Sequence, residues 1–261
     1  MYEKFISKNE FYAVFSADNN KLKAEADFIF DYIPYKAALL DVGAADGSLA
    51  CELANKGYRV VALEPDGGLR TLFQARLKRS PETIKHVDIL PFPLEQWNDK
   101  EMFDAVVCYH VLPHLGGISM VEAFLSLLVN KVKEDGFLFL SFPLLTKVRK
   151  PTKETLLKTS QVGNVHYFHY SKLEQLDPER WLTTWRFVAE RKGETLCEIS
   201  DTFEYTPFSL NSVEEILQNQ SMEIVGRFSG ANGEAFYEKE STAAWLVLRK
   251  KSQRLQKQPR A

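Results

Sequence analysis

Five short apolar runs, separated by stretches with helical periodicity, constrain this chain most. These are Ala37–Val42, Arg59–Leu63, Lys85–Leu90, Phe103–Cys108 and Phe137–Phe142, and all but Phe103–Cys108 are followed by glycine, proline or an acidic residue. Runs without in–out alternation predict strands buried on both faces. Between them lie helical stretches, Ser48–Lys56 stopped by Gly57, Gly68–Arg79 and Val121–Val132, with a first helix at Lys21–Tyr32 ended by Pro34. Strand and helix alternating in this way imply a parallel sheet with helices on both faces.

After Pro143 the pattern changes. Leu144–Gly163 carries lysines and threonines with little periodicity and reads as an excursion. His166–Tyr170, Trp181–Arg191 and Thr195–Thr206 are rich in aromatic and β-branched residues, and Lys192-Gly193 supplies a turn, so a small antiparallel sheet is expected there. Ser212-Val213-Glu214-Glu215 offers a capping box for a helix to about Asn219. Met222–Phe228 and Ala243–Arg249 close the series as two strands. The division expected is a main domain over 1–145 and 208–250, an antiparallel insertion over 146–207 that covers a substrate site, and a disordered tail over 251–261.

Bulk properties remove several classes of function. With 33 basic and 35 acidic residues and a formal net charge of −2, nothing in the charge calls for a polyanionic partner. Cys51, Cys108 and Cys197 are far apart and form no metal-binding pair. No leader-like apolar stretch opens the chain and no apolar run reaches membrane-spanning length, so a cytoplasmic protein without membrane insertion is expected.

The chemistry concentrates where strands end. Leu39-Leu40-Asp41-Val42-Gly43-Ala44-Ala45-Asp46-Gly47 runs from a strand through a turn of small residues into a helix. Gly43 lets the chain turn tightly, Ala44 and Ala45 leave the backbone approachable, and Gly47 allows the helix to pack closely. About 20 residues further on, Glu64 ends the next strand, at the distance from which a carboxylate can accept hydrogen bonds from ribose hydroxyls.

These residues resemble the class I S-adenosylmethionine-dependent methyltransferases, in particular the type 11/25-like group. The first family motif is matched by Asp41-Val42-Gly43-Ala44-Ala45-Asp46-Gly47, with alanine at its middle glycine. Val61-Ala62-Leu63-Glu64-Pro65-Asp66, Phe103–Leu115 and Asp135–Ser141 continue the resemblance in order. It implies a Rossmann-like, seven-stranded, mostly parallel sheet with an antiparallel β insertion after the fifth strand. It also implies S-adenosyl-L-methionine as cofactor, with S-adenosyl-L-homocysteine as product. Asp41, Gly43, Ala44, Ala45, Gly47, Glu64, Pro65, Pro93, Leu94 and Tyr109 would bind that cofactor. The family's acidic adenine contact is missing: Pro93-Leu94-Glu95-Gln96-Trp97 stands in its place, leaving the Leu94 N–H for adenine, or Glu95 or Gln96 as substitutes.

Open α/β sheets place ligands at the carboxyl ends of their strands. Tyr109 and His110 hold that position after the fourth strand and are the catalytic candidates, His110 as a general base. Tyr12, His114, Tyr167 and His169 are the substrate-binding candidates; the histidines also read as pocket wall and the 166–170 aromatics as a packed sheet face. Phe11, Tyr12 and Phe15 precede the first helix and suit a lid. His110 and His114 mimic a zinc spacing, but Pro113 interrupts the helix and no glutamate follows, so no metal is expected. The partner expected is a small-molecule methyl acceptor bearing the N or O to be methylated. The alternatives are a modified tRNA base as acceptor, or a cofactor-binding protein without turnover. Nucleic acid is disfavoured by charge, and no oligomeric state is encoded in these patterns.

Overall fold

The computed structural model describes residues 8–15, 19–144, 151–177, 180–205 and 208–252. Its main sheet has seven strands: β1 (Ala38–Val42), β2 (Arg59–Leu63), β3 (Val87–Leu90), β4 (Phe103–Tyr109), β5 (Val132–Pro143), β10 (Met222–Phe228) and β11 (Ala243–Lys250). They lie in the order β3-β2-β1-β4-β5-β11-β10. Strands β1 to β5 pair in parallel, and β11 runs antiparallel to both β5 and β10. Strand order reverses between β1 and β4, and at such a switch point the diverging loops open a crevice.

Side chains alternating along each strand feed two cores. Leu40 and Val42 of β1, Val61 and Leu63 of β2, Val106 and Cys108 of β4, and Leu138 and Leu140 of β5 share one core with helices α5 (Ile118–Lys131) and α6 (Leu210–Asn219). Leu39, Val60, Ala62, Ala105, Val107 and Phe139 point the other way, toward α2 (Asn19–Phe30), α3 (Ser48–Asn55) and α4 (Gly67–Lys78). This two-sided burial explains why the strands read as unbroken apolar runs.

Strands β6 (Thr152–Val162), β7 (Val165–Asp177), β8 (Arg180–Arg191) and β9 (Glu194–Tyr205) form a separate antiparallel sheet in sequence order. The insertion therefore lies between β5 and α6; its expected borders abut residues 145–150 and 206–207, outside the described residues, as does most of the expected tail, 253–261. Helix α1 (Lys8–Phe15) packs on this sheet, burying Phe11 against Tyr167, Phe187 and Ala189. Lys8 reaches Asp201, and the Tyr167 hydroxyl donates to Glu10 at 3.3 Å.

Several expectations need correction. Most of the stretch read as an excursion is strand β6, almost wholly exposed and held by its pairing with β7, so no burial pattern announces it. Phe11, Tyr12 and Phe15 lie within helix α1 rather than ahead of the first helix. Helix α6 begins earlier than the proposed capping box: Ser209 is its N-cap, accepting from the Ser212 N–H at 3.0 Å. Strand β3 starts at Val87 because Thr83–His86 forms a 3₁₀ turn, and β5 extends back to Val132.

The β1–α3 loop is set by two glycines. Gly43 (φ +76°) donates to Leu63 O at 2.9 Å, and Gly47 (φ +69°) admits the Phe73 ring of α4 to within 1.9 Å of where a β-carbon would stand. Gly47→Ala should therefore lose about 2–4 kcal/mol, from the left-handed backbone and the displaced ring together. Ala45, at φ +52°, carries the opposite expectation: Ala45→Gly should leave stability unchanged or raise it by up to about 1 kcal/mol. Urea denaturation of both variants followed by circular dichroism measures the contrast.

Candidate active site

The carboxylate at the end of β2 joins two βα loops. Glu64 is buried, with Oε2 accepting from the Ala45 N–H at 2.8 Å and Oε1 from the Asp66 N–H at 2.8 Å. Its own carbonyl accepts from Arg70 Nη1 at 2.8 Å. Each carboxylate oxygen keeps a second lone pair for a further donor. Burial raises the Glu64 pKa, and the two backbone N–H groups oppose that rise.

Asp41 lies on the adjoining strand, also buried. Burial first, then the negative charges of Glu64 and Glu25, pushes its carboxyl up to about 7. Asp46, by contrast, is neutralised. Its Oδ1 accepts from the Ser48 N–H at 3.2 Å and hydroxyl at 2.6 Å, closing the first turn of α3, while Oδ2 accepts from Arg76 Nη2 at 2.5 Å. Sequence reasoning passed over Asp46 and Arg76; the Asp-x-Ser spacing at the helix start was the available signal.

Pro65 is exposed beside Glu64, and Asp66 caps α4, accepting from Gly68 and Leu69. Pro93 precedes the 3₁₀ turn Leu94–Gln96. The Leu94 side chain is buried in the core, and the turn leaves the Leu94 N–H outside its own hydrogen bonds, as first-turn donors are. Opposite Gly43, a Val111 methyl lies 2.6 Å from where a β-carbon would be, so only glycine fits beneath the β4 loop.

The fourth strand delivers Tyr109 and His110. The Tyr109 ring lies 4.4 Å from Trp245, and its buried hydroxyl has no hydrogen-bond partner among the described residues. Burial, then Glu25 and Asp41, pushes its pKa far upward, so the phenol can donate a hydrogen bond and cannot serve as a base near neutrality. His110 is exposed, takes φ +60°, and meets Trp245 edge-on at 5.4 Å. A left-handed histidine is a strained conformation of the kind found at functional sites.

His114, one turn further on, faces Phe203 at 5.7 Å and Tyr205 at 5.6 Å, joining the β4 loop to the second sheet. Burial lowers its pKa against the pull of Asp201. Tyr12 is partly exposed on α1, while its phenol is pushed up to about 12 by burial and by the nearby charges of Asp46 and Glu64. It therefore lies over the acidic end of the crevice. Tyr167 and His169 are placed differently: both are buried beneath α1, His169 stacked on Phe187 at 4.4 Å with its pKa lowered to about 4, chiefly by burial. They belong to the packed sheet face that α1 covers. Among the described residues no group of His, Cys, Asp and Glu is arranged to hold a metal, and no helix is long and apolar enough to cross a membrane.

A switch-point crevice with a small-residue loop and a carboxylate one strand over is the arrangement of Rossmann-like α/β folds. Residues 40–140 match the family model for the methyltransferase domain. The ubiquinone biosynthesis O-methyltransferase of Rickettsia akari is 27% identical over 106 residues, 41% of this chain and 40% of that protein. The match thus spans well under half of the curated relatives' length. An S-adenosylmethionine-dependent methyltransferase from Clostridium acetobutylicum shares the fold with TM-score 0.77 at 13% identity, over 94% of this chain and 99% of that one. The amino pentose methyltransferase CalS10 from Micromonospora echinaspora gives TM-score 0.73 at 16% identity, over 94% and 98%. Residues 40–140 are thus similar to the methyltransferase domain, and the chain shares its fold with S-adenosylmethionine-dependent methyltransferases.

The buried acids give the site a pH signature. The Asp41 carboxyl titrates near 7 when folded and near 4 when unfolded. The folded state therefore binds the extra proton, and the stability tied to that proton is present below about pH 4 and lost as pH rises through 7. Asp41→Asn should abolish this loss, stabilising the ligand-free protein by on the order of 4 kcal/mol above pH 7 and by little at pH 4. Denaturation at both pH values checks it.

Proposed function

We propose that this protein transfers the methyl group of S-adenosylmethionine to an N or O atom of a small molecule. The observation that carries the reading is the Glu64 carboxylate, buried at the switch point, held by two backbone N–H groups and still able to accept from two hydroxyls. The residues present suit the cofactor. Gly43 keeps the β1 loop tight beneath Val111, Ala44 and Ala45 would leave the loop open to the cofactor, Glu64 would grip the ribose, and the Leu94 N–H would serve adenine. Asp41 and Glu64 add negative charge for a cationic ligand.

When bound, the cofactor supplies an electrophilic sulfonium methyl. The protein's part is alignment and exclusion of water, which in well-oriented systems is worth about 7–11 kcal/mol. Tyr109 would position by donating a hydrogen bond, His110 would accept the proton that the acceptor atom loses, and Tyr12 would close the crevice from α1. Pro65 and Pro93 would border the cofactor, with His114 on the acceptor side. The sugar and small-molecule methyltransferases that share the fold support a small acceptor.

Glu64→Gln keeps one carbonyl oxygen and Glu64→Ala keeps none. Calorimetry with S-adenosylhomocysteine should show affinity falling about 10-fold and about 100-fold respectively, the range lost with charge-assisted hydrogen bonds. Unchanged affinity in a folded Glu64→Ala protein would remove the ribose role and the proposed function with it.

A further inference from the structure

The reading above leaves the acceptor's chemistry open, and the second sheet narrows it. Side chains of β9 alternate between two faces. Cys197 and Ile199 pack beside the α1 cluster, Phe203 and Tyr205 face His114, and Asp201 lies between these pairs on the same face. The acids of the opposite face are accounted for by arginines: Glu198 pairs with Arg186 and Glu204 with Arg180. The five β8 partners that share the face of Asp201, from Trp181 to Ala189, are uncharged. Within its own sheet Asp201 therefore has no cationic partner on β8. Its ion pair with Lys8, at 3.3 Å, joins two half-exposed side chains, and such pairs contribute little.

The surroundings are aromatic and incompletely covered. Trp185 stands directly across the strand pair from Asp201, and its ring meets that of Phe203 at 4.5 Å. Phe203 and Tyr205 lead to His114, on the β4 loop that also carries His110. Trp185, Phe203 and Tyr205 are half-buried and His114 is exposed, so the wall keeps open surface toward the carboxyl end of β4. A carboxylate beside aromatic faces selects for a cation on an apolar frame. An ammonium gains a charge-assisted hydrogen bond and a ring-face attraction, a hydroxyl gains neither, and an acid is repelled.

We propose that Asp201, within the wall formed by Trp185, Phe203, Tyr205 and His114, recognises a positively charged amino group on the methyl acceptor, which is therefore a ring-bearing amine. The inference rests on the small-molecule methyl-transfer reading and specifies its substrate class. Lys8, the cation of this chain already beside Asp201, marks the position that the ammonium takes.

The test titrates cyclohexylammonium, cyclohexanol and cyclohexanecarboxylate into the full chain at pH 7, with and without saturating S-adenosylhomocysteine, followed by calorimetry and tryptophan fluorescence. Cyclohexylammonium should bind at least 10-fold more tightly than cyclohexanol, and the carboxylate more weakly than either. In Asp201→Asn the preference should fall to within about twofold while affinity for S-adenosylhomocysteine is retained. In Lys8→Met, a change at an exposed position, ammonium affinity should rise two- to threefold. Equal binding of the amine and the alcohol by the unaltered protein, a preference that survives Asp201→Asn, or a fall in Lys8→Met would each overturn the proposal. S-adenosylhomocysteine bound without any ammonium preference would refute this inference alone. A preference without S-adenosylhomocysteine binding would refute the methyl-transfer reading alone.

Discussion

The functional end of the molecule depends on one buried carboxylate. Glu64 takes a backbone N–H from Ala45, in the loop after β1, and another from Asp66, in the loop after β2. It thereby fixes the width of the crevice between the two strand ends. Removing it from water is unfavourable, and the charges around it make matters worse, since Asp41 and Glu25 are also buried. Two backbone hydrogen bonds and the Arg70 contact to the Glu64 carbonyl offset part of this cost. The remainder is an excess of negative charge that a cationic cofactor would relieve, so under the proposed function the ligand-free state is electrostatically strained toward binding.

A second constraint comes from α1. This short helix would have little stability alone, yet it is anchored on two sides. Phe11 is fully buried against Tyr167 and Phe187 of the second sheet, while Asn9 fills the space where a Gly68 side chain would project from α4. The helix thus bridges the inserted sheet and the helix that follows Glu64, with Tyr12 directed at the acids below. Burial of Tyr167 and His169 follows from that arrangement, because the face they occupy is the one α1 covers.

The main sheet was legible in the sequence because two-sided burial leaves an unambiguous trace: β1, β2, β4, β10 and β11 lie within a residue of the expected runs. What escaped notice had no such trace. Strand β6 is exposed along its length, so only pairing with β7 defines it. Helix α1 has eight residues and one buried side chain, too few to establish a period. Asp41, Glu64 and His110 are candidates by their spacing from the strand ends, and they stand at the carboxyl ends of β1, β2 and β4. The Asp46–Arg76 pair was not visible in the sequence, since its partners are 30 positions apart. The meaning of Asp201 depended on which face of β9 it takes, which only the register with β8 decides.

Local rules are broken where the function is proposed and kept elsewhere. Among the described residues, six non-glycine residues have positive φ. Lys36, Lys192 and Ser221 lie in turns between elements, where the left-handed conformation reverses the chain, and Asp135 lies within β5 where its register with β4 shifts. Ala45 and His110 instead stand at the carboxyl ends of neighbouring strands β1 and β4, flanking the crevice. With Asp41 buried between them, two strained backbones and one misplaced charge fall within a single loop cluster. Each is unfavourable for the ligand-free fold, and their coincidence at the switch point is what a site shaped for a ligand produces.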